Sequence, residues 1–251
     1  MVQLTEILDY TGSLLEVDRF HDYCPNGLQV EGRDQIRKIV SGVTANQALL
    51  ERASLEKADA ILVHHGYFWK GEDPRVIGMK YRRLRCLLER QMSLLAYHLP
   101  LDAHPVYGNN AQLAMKLGLS VEGRFGRDEP AIGMYGHLSE PTPVDDFLAR
   151  IESTLGQAPL HIPAELGTVH SVAWCTGAAQ GYIEQAVSLG VDVFLTGEVS
   201  EQTVHIARES GIHFISAGHH ATERYGVQAL GEHLSQQFDI QHQFVEIQNP
   251  I

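Results

Sequence analysis

The sequence predicts an α/β fold with largely parallel, covered sheets, built twice over in one chain, and three observations predict it. Short apolar runs of strand type alternate with helix-period segments, and strands separated by helices imply parallel pairing with helices on the faces. The same order of elements returns after residue 170. The two halves also overlay without gaps over a long stretch: Ile39 falls on Val172, Val40 on Ala173, Leu50 on Ile183, Ala53 on Ala186, Asp59 on Asp192 and Leu62 on Leu195.

Each element has its own justification. In "MVQLTEILDYTGSLLEV", Leu4, Ile7, Leu8, Leu14 and Leu15 fall near helical spacing. With no basic start and no continuous apolar stretch, this reads as an amphipathic first helix and not a secretion signal. "YCPNGLQVEG" reads as a turn and a short strand, because Pro-Asn-Gly supplies restricted and positive φ values in succession. A structural role is expected of that turn, with a substrate contact from Asn26 as a further possibility. The strands "KIVSGV", "ADAILV" and "MSLLAY" alternate with helices over about 45–57, 81–90 and 110–117, completing a first half over 1–125.

Prolines and glycines interrupt the region that follows, leaving one expected helix at 145–155, so 126–168 reads as a linking insert. The second half, 169–251, runs through "VHSVAWCTG", a helix over about 181–189, "VDVFLTG", a helix around 201–210, "IHFISAG" and a helix ending near "ALGEHL".

Bulk properties narrow the function. A chain of 251 residues with 44% apolar content is a folded protein holding one large core or two modest ones. A formal charge of −12 with no run of Lys or Arg disfavours nucleic acid or an anionic membrane surface as partner. No apolar segment is long enough to span a bilayer. Cys24, Cys86 and Cys175 are far apart and odd in number, so a reducing cytoplasm is expected and a cysteine-based zinc site is not. There is no phosphate loop ending in Lys and Ser or Thr, no strand-linked GxGxxG and no GxSxG turn.

Histidines carry the strongest chemical signal. Eight of the fourteen (His64, His65, His98, His104, His205, His213, His219 and His220) lie in four windows around strand ends, a clustering that packing does not require. In "ADAILVHHGYFWKG", His64 and His65 close an apolar run, and open parallel sheets bind ligands beyond the carboxyl ends of their strands. Adjacent strand residues normally diverge, but a turn near Gly66 could bring both into one crevice. Alone, such a pair fits equally a backbone-bonded and a solvated histidine.

"AYHLPLDAH" adds His98 and Asp102, with Pro100 arguing for a loop; Asp102 could equally be a turn carboxylate. "AGHHATERYG" adds His219 and Glu223, one turn apart on a face if a helix begins after Gly218, though Glu also suits a first helical turn. In the overlay His98 falls on His219, Asp102 on Glu223, Leu99 on His220 and His65 on Glu198. Glu198, in "FLTGEVSEQTVH" with Thr196, Gly197 and His205, is either an orienting or substrate-facing acid or a helix-start carboxylate.

His64, His65, Asp102, His219 and Glu223 form a mixed nitrogen and oxygen set suited to divalent Zn, Fe, Mn or Co. Five ligands exceed one tetrahedral ion and do not saturate two unless a carboxylate bridges, a shortage that a catalytic site requires.

"NGLQVEG", "ILVHHGYFWKG", "HLPLDAH", "TGEVSEQ" and "AGHHATERYG", in this order over nearly the whole chain, resemble the Nif-three-like family, also called GTP cyclohydrolase type-two homologues. The resemblance implies a three-layer α/β/α fold of two intertwined pseudo-symmetric halves, a dinuclear metal centre between them and a homohexamer. By motif it implies His64, His65, Asp102, His219 and Glu223 as the ligands, with Glu223 bridging. The leading functional expectation is a hydrolase with two divalent ions per chain, acting on a nucleotide or other phosphorylated small molecule, with His98 or Glu198 moving protons. The alternative is a non-enzymatic metal-binding scaffold or regulator.

Overall fold

The structure, a computed structural model, describes residues 1–127 and 129–251. It divides into two units, Met1–Gly108 with Gly226–Gln248, and Asn109–Tyr225 with Asn249–Ile251.

The first unit opens with β1 (Val2–Gln3) and α1 (Leu4–Leu14), followed by β2 (Gly27–Val30), β3 (Gln35–Ile36), β4 (Lys38–Thr44), α2 (Gln47–Leu55), β5 (Ala60–His65), α3 (Gly78–Arg90), β6 (Ser93–Ala96) and α4 (Leu99–Ala103). The second contains α5 (Asn109–Leu117), β7 (Gly123–Phe125), β8 (Gly133–Pro143), α6 (Val144–Leu155), β9 (Leu160–Ile162), β10 (Thr168–Cys175), α7 (Ile183–Leu189), β11 (Val193–Thr196), α8 (Glu201–Ser210) and β12 (His213–Ser216). Helix α9 (His219–Phe238) starts in the second unit. From Gly226 its residues belong to the first, where the chain adds β13 (Gln241–Phe244).

Alternation along the strands gives the first unit its layers. The sheet order is β13-β4-β5-β6-β2, with the first four strands parallel and β2 antiparallel. Ile39, Ala60, Leu62 and Leu95 face a core shared with Leu4 and Ile7 of α1 and with Val227, Leu230 and Leu234 of α9. The alternate residues Val40, Ile61, Val63 and Leu94 face Leu49, Leu50 and Ala53 of α2 and Leu84 and Leu87 of α3. The sheet is thus sandwiched between helices, the three-layer arrangement expected of covered parallel strands. At the start of α2, Asn46 caps the helix by accepting from the Leu49 amide at 2.9 Å.

In the second unit the order is β7-β8-β10-β11-β12-β9, with β10, β11 and β12 parallel and the others antiparallel. Val172, Trp174, Val193, Leu195 and Ile215 pack on Leu113 and Leu117 of α5 and on Phe147 and Ile151 of α6.

Both units therefore carry three parallel strands in chain order with an antiparallel strand beside the third. A local device also recurs at the overlaid aspartates. Asp59 accepts from the Arg37 and Lys38 amides at 2.8 and 3.1 Å, and Asp192 from the His170 and Ser171 amides, both at 2.8 Å. Each carboxylate holds two successive amides at or near the start of the neighbouring strand.

Two expectations are revised. The segment 126–168 is no linking insert: β8 pairs with β10, β9 pairs with β12, and α6 supplies core residues, so it belongs to the second unit's sheet. Its glycines mark close approach within the sheet, since a Cβ on Gly133 would meet Phe125 and one on Gly136 the Ser120 carbonyl. The unit boundary falls at 108/109 instead of 125, and 226–248 joins the first unit because its apolar residues complete that core. Second, the stretch after His98 is a short helix and not a loop, with Pro100 in its first turn, where a missing N–H leaves no bond unmade.

Candidate metal centre

In the first unit, His64 and His65 end β5, His98 follows β6, and Asp102 lies in α4, so all four sit at or just beyond the carboxyl ends of parallel strands. His64 is fully buried and Asp102 nearly so. His64 and His65 converge even though β5 runs through both: their ring centroids are 4.6 Å apart, and His98 lies 5.1 and 5.8 Å from them. One ring nitrogen of each of the three falls within 4.8 Å of the others.

Their orientation has a common cause. His64 Nδ1 is 2.9 Å from the Tyr97 carbonyl, His65 Nδ1 3.2 Å from Thr44 Oγ1, and His98 Nδ1 2.7 Å from Asp22 Oδ1. A histidine held at Nδ1 by an oxygen is fixed in orientation and offers Nε2 to a ligand, as metal-binding imidazoles do. His64 Nε2 lies 3.5 Å from Asp102 Oδ1, placing a nitrogen and a carboxylate donor side by side.

The second unit carries a smaller set of the same chemistry. Helix α9 begins at His219, immediately after Gly218, and its pitch brings His219 Nε2 to 3.1 Å from Glu223 Oε2. His219 Nδ1 is 2.6 Å from Glu198 Oε1, which makes Glu198 the orienting carboxylate of His219. Burial works against charge on His219, but the paired Glu223 and Glu198 carboxylates outweigh it and raise its pKa to about 9. The two carboxylates thus favour positive charge at this imidazole.

Gly177, at φ +70, forms the wall behind this set. A Cβ there would collide with Glu223 Oε1 and lie 3.3 Å from His219 Nε2. Thr196 fixes the wall by donating to the Gly177 carbonyl at 3.1 Å and accepting from the Ala179 amide at 3.3 Å.

Other histidines from the four windows serve elsewhere. His104 Nδ1 accepts from the Val106 and Tyr107 amides at 3.2 and 2.9 Å. His213 is held by the Leu166 carbonyl and His161 at 2.8 and 3.0 Å, His205 is exposed on α8, and the His220 amide donates to Ile251 at 2.8 Å.

Sequence reasoning overlooked Asp22, Tyr97, Thr44 and Gly177. Asn26, read from sequence as a turn residue with a possible substrate contact, donates to Asp22 at 2.8 Å and accepts from the His98 amide at 2.7 Å. Its observed part is to hold that corner together.

Fold and donors define an α/β protein with imidazole and carboxylate sets at the carboxyl ends of its parallel strands. The chain belongs to the Duf34/NIF3 (NGG1p interacting factor 3) family, whose model matches residues 2–250. A Pseudomonas aeruginosa protein named GTP cyclohydrolase 1 type 2 homolog is 57% identical over 250 residues, 99% of each chain. The Escherichia coli protein of the same name is 51% identical over 248 residues, 98% of each. Among solved structures, protein ybgI, described as of unknown function, superposes with a TM-score of 0.96 at 49% identity, and TTHA1606 from Thermus thermophilus with 0.90 at 34%; both cover 100% of each chain.

Proposed function

We propose that the protein is a metal-dependent hydrolase binding two divalent ions per chain, with His64, His65 and Asp102 of the first unit and His219 and Glu223 of the second as ligands. The observation that carries this reading is the Nδ1 anchoring of His64, His65 and His219, each to a protein oxygen, with a carboxylate beside the Nε2 of His64 and of His219. Nitrogen and oxygen donors together suit Zn, Fe, Mn or Co. Ions so held would supply Lewis acidity and lower the pKa of a water toward about 7.

Positive charge concentrated there would draw a nucleotide or other phosphorylated small molecule to an otherwise acidic protein, and the name carried by the relatives is compatible with that class. Glu198 orients His219, and His98 receives or delivers a proton. The protein works in the cytoplasm as a homohexamer; the exposed apolar side chains of Val76, Ile77, Met79 and Leu88 are of the kind self-association covers. Among the described residues no helix is long and apolar enough to cross a membrane.

The test is metal analysis of the purified protein with a screen of nucleotides with and without added Mn or Zn. About two ions per chain and metal-dependent turnover are expected. Undiminished metal in a His64→Ala, Glu223→Ala double variant would sink the ligand assignment. Loss of assembly on metal removal, with no turnover of any nucleotide, would favour a scaffold.

A further inference from the structure

We propose that Asp22 is a positioning residue for His98: it fixes the imidazole as the Nδ1–H tautomer and presents Nε2, as a hydrogen-bond acceptor, toward His64 and His65. The inference rests on the reading of that cluster as the reactive site and names the group that would receive a proton from a water or a substrate hydroxyl.

Hydrogen-bond accounting at Asp22 carries the argument. Its side chain is 3% exposed. Oδ1 accepts from the Tyr23 amide at 2.6 Å and lies 2.7 Å from His98 Nδ1. Oδ2 accepts from Asn26 Nδ2 at 2.8 Å and from the Leu99 amide at 2.9 Å. An ionised carboxylate only accepts, so the hydrogen in the contact with His98 must sit on Nδ1. Burial alone would raise the Asp22 pKa, but the bonds from His98, Asn26 and Leu99 outweigh it and hold the group low, keeping it ionised.

The ring is also fixed mechanically. The His98 amide donates to Asn26 Oδ1 at 2.7 Å, and Trp69 meets the ring edge-on at 5.0 Å and 85°. With Nδ1 committed as donor, the lone pair of a neutral imidazole belongs to Nε2, and one ring nitrogen of His98 lies within 4.8 Å of a ring nitrogen of His64 and of His65.

Asp22, Cys24 and His98 also lie close enough to suggest a separate cation site. The bonding argues against it. Both Asp22 oxygens already accept from N–H groups, and burial together with the Asp22 charge pushes the Cys24 thiol up to about 12, far from a thiolate ligand.

The experiment is ¹⁵N NMR of imidazole nitrogens in the full chain loaded with diamagnetic Zn, at about pH 8, above the ordinary imidazole range. A His98→Asn variant, which keeps an N–H near the Nδ1 position, assigns the His98 signals by their absence. The wild type should show a protonated Nδ1 and a pyridine-type Nε2 for His98. Asp22→Asn should lose that pyridine-type Nε2 signal while retaining wild-type Zn content, which a merely structural role would not produce. An Nε2–H tautomer or a doubly protonated ring in the wild type overturns the proposal without any variant, so misfolding of Asp22→Asn does not shield it. Zn-free wild-type protein would refute the metal reading instead, and the His98 tautomer, read in the same sample, is judged separately.

Discussion

Replacing Gly177 by alanine should damage stability and metal binding together, because one added methyl group meets two obstacles. The first is the backbone: at φ +70 an L-residue other than glycine costs about 1–2 kcal/mol. The second is Glu223. Its Oε1 stands where the methyl would go, and its Cδ is 3.0 Å away. Glu223 is only 3% exposed, so the carboxylate cannot swing into water and relieve the clash. Overpacking of this kind costs about 1–3 kcal/mol, giving about 2–5 kcal/mol in all. For a chain of this size that lowers the Tm by about 5–15 °C. Displacing the Glu223 carboxylate should also weaken bound metal by about 10–100-fold.

The assay is thermal unfolding beside metal titration of the same preparation. Gly181→Ala serves as control, since nothing lies within 4 Å of a Cβ there and the effect should stay within about 0.5 kcal/mol. Unchanged Tm and metal affinity in Gly177→Ala would refute the steric argument. A lowered Tm with unchanged affinity would refute the role of Glu223 as ligand.

Removing the cap in Asn46→Ala should cost about 1 kcal/mol, read as a lower denaturant midpoint at unchanged m-value. Gly12 sits in the interior of α1 with nothing within 4 Å of a Cβ, so Gly12→Ala should raise stability by about 0.5–1 kcal/mol in the same assay. His242, 2.7 Å from Ser41 Oγ, is pushed by burial from 6.5 down to about 4. Between those values the unfolded chain binds a proton that the folded one refuses, so stability should be full above about pH 6.5 and fall as pH drops toward about 4. Discounted for partial solvation, the loss is about 2 kcal/mol, and urea midpoints across that range should fall less in His242→Gln than in the wild type.

What the sequence made legible was whatever its local pattern encodes. The apolar runs read as strands are strands, and in the fold Ile39 and Leu62 face one core while Val40 and Ile61 face another. The overlay matched Asp59 with Asp192, and each carboxylate does the same work on the preceding strand. The region 126–168 was misread because its prolines and glycines look like breakers in isolation. Pro141 and Pro143 lie at the far end of β8, while Gly133 and Gly136 lie where a neighbouring chain comes too close for a side chain. The groups that impose that approach, Phe125 and Ser120, come from strand β7 and the residues just before it, a pairing that composition alone does not reveal.

The candidate donors could be named from the sequence and the groups that hold them could not, for a reason that lies in sheet topology. His219 and Glu223 announce themselves by helical spacing, but Asp22 and His98 are 76 residues apart. They meet because β2 runs antiparallel to β6 with Gly27 opposite Ala96, so the turn before β2 arrives beside the residues after β6. The second unit has the corresponding edge, β9 against β12 with Leu160 opposite Ser216, and there the approaching side chain is Gln157, which donates to the Ala217 carbonyl at 2.9 Å. The His219 Nδ1 is held by Glu198, which follows the neighbouring parallel strand β11. Equivalent histidines are therefore anchored from opposite sides, and an overlay that matches Glu198 with His65 had no means of finding Asp22. Halves alike in sheet order have arrived at an imidazole anchored at Nδ1 through different neighbours, so what the two units share is the anchoring and not the element that supplies it.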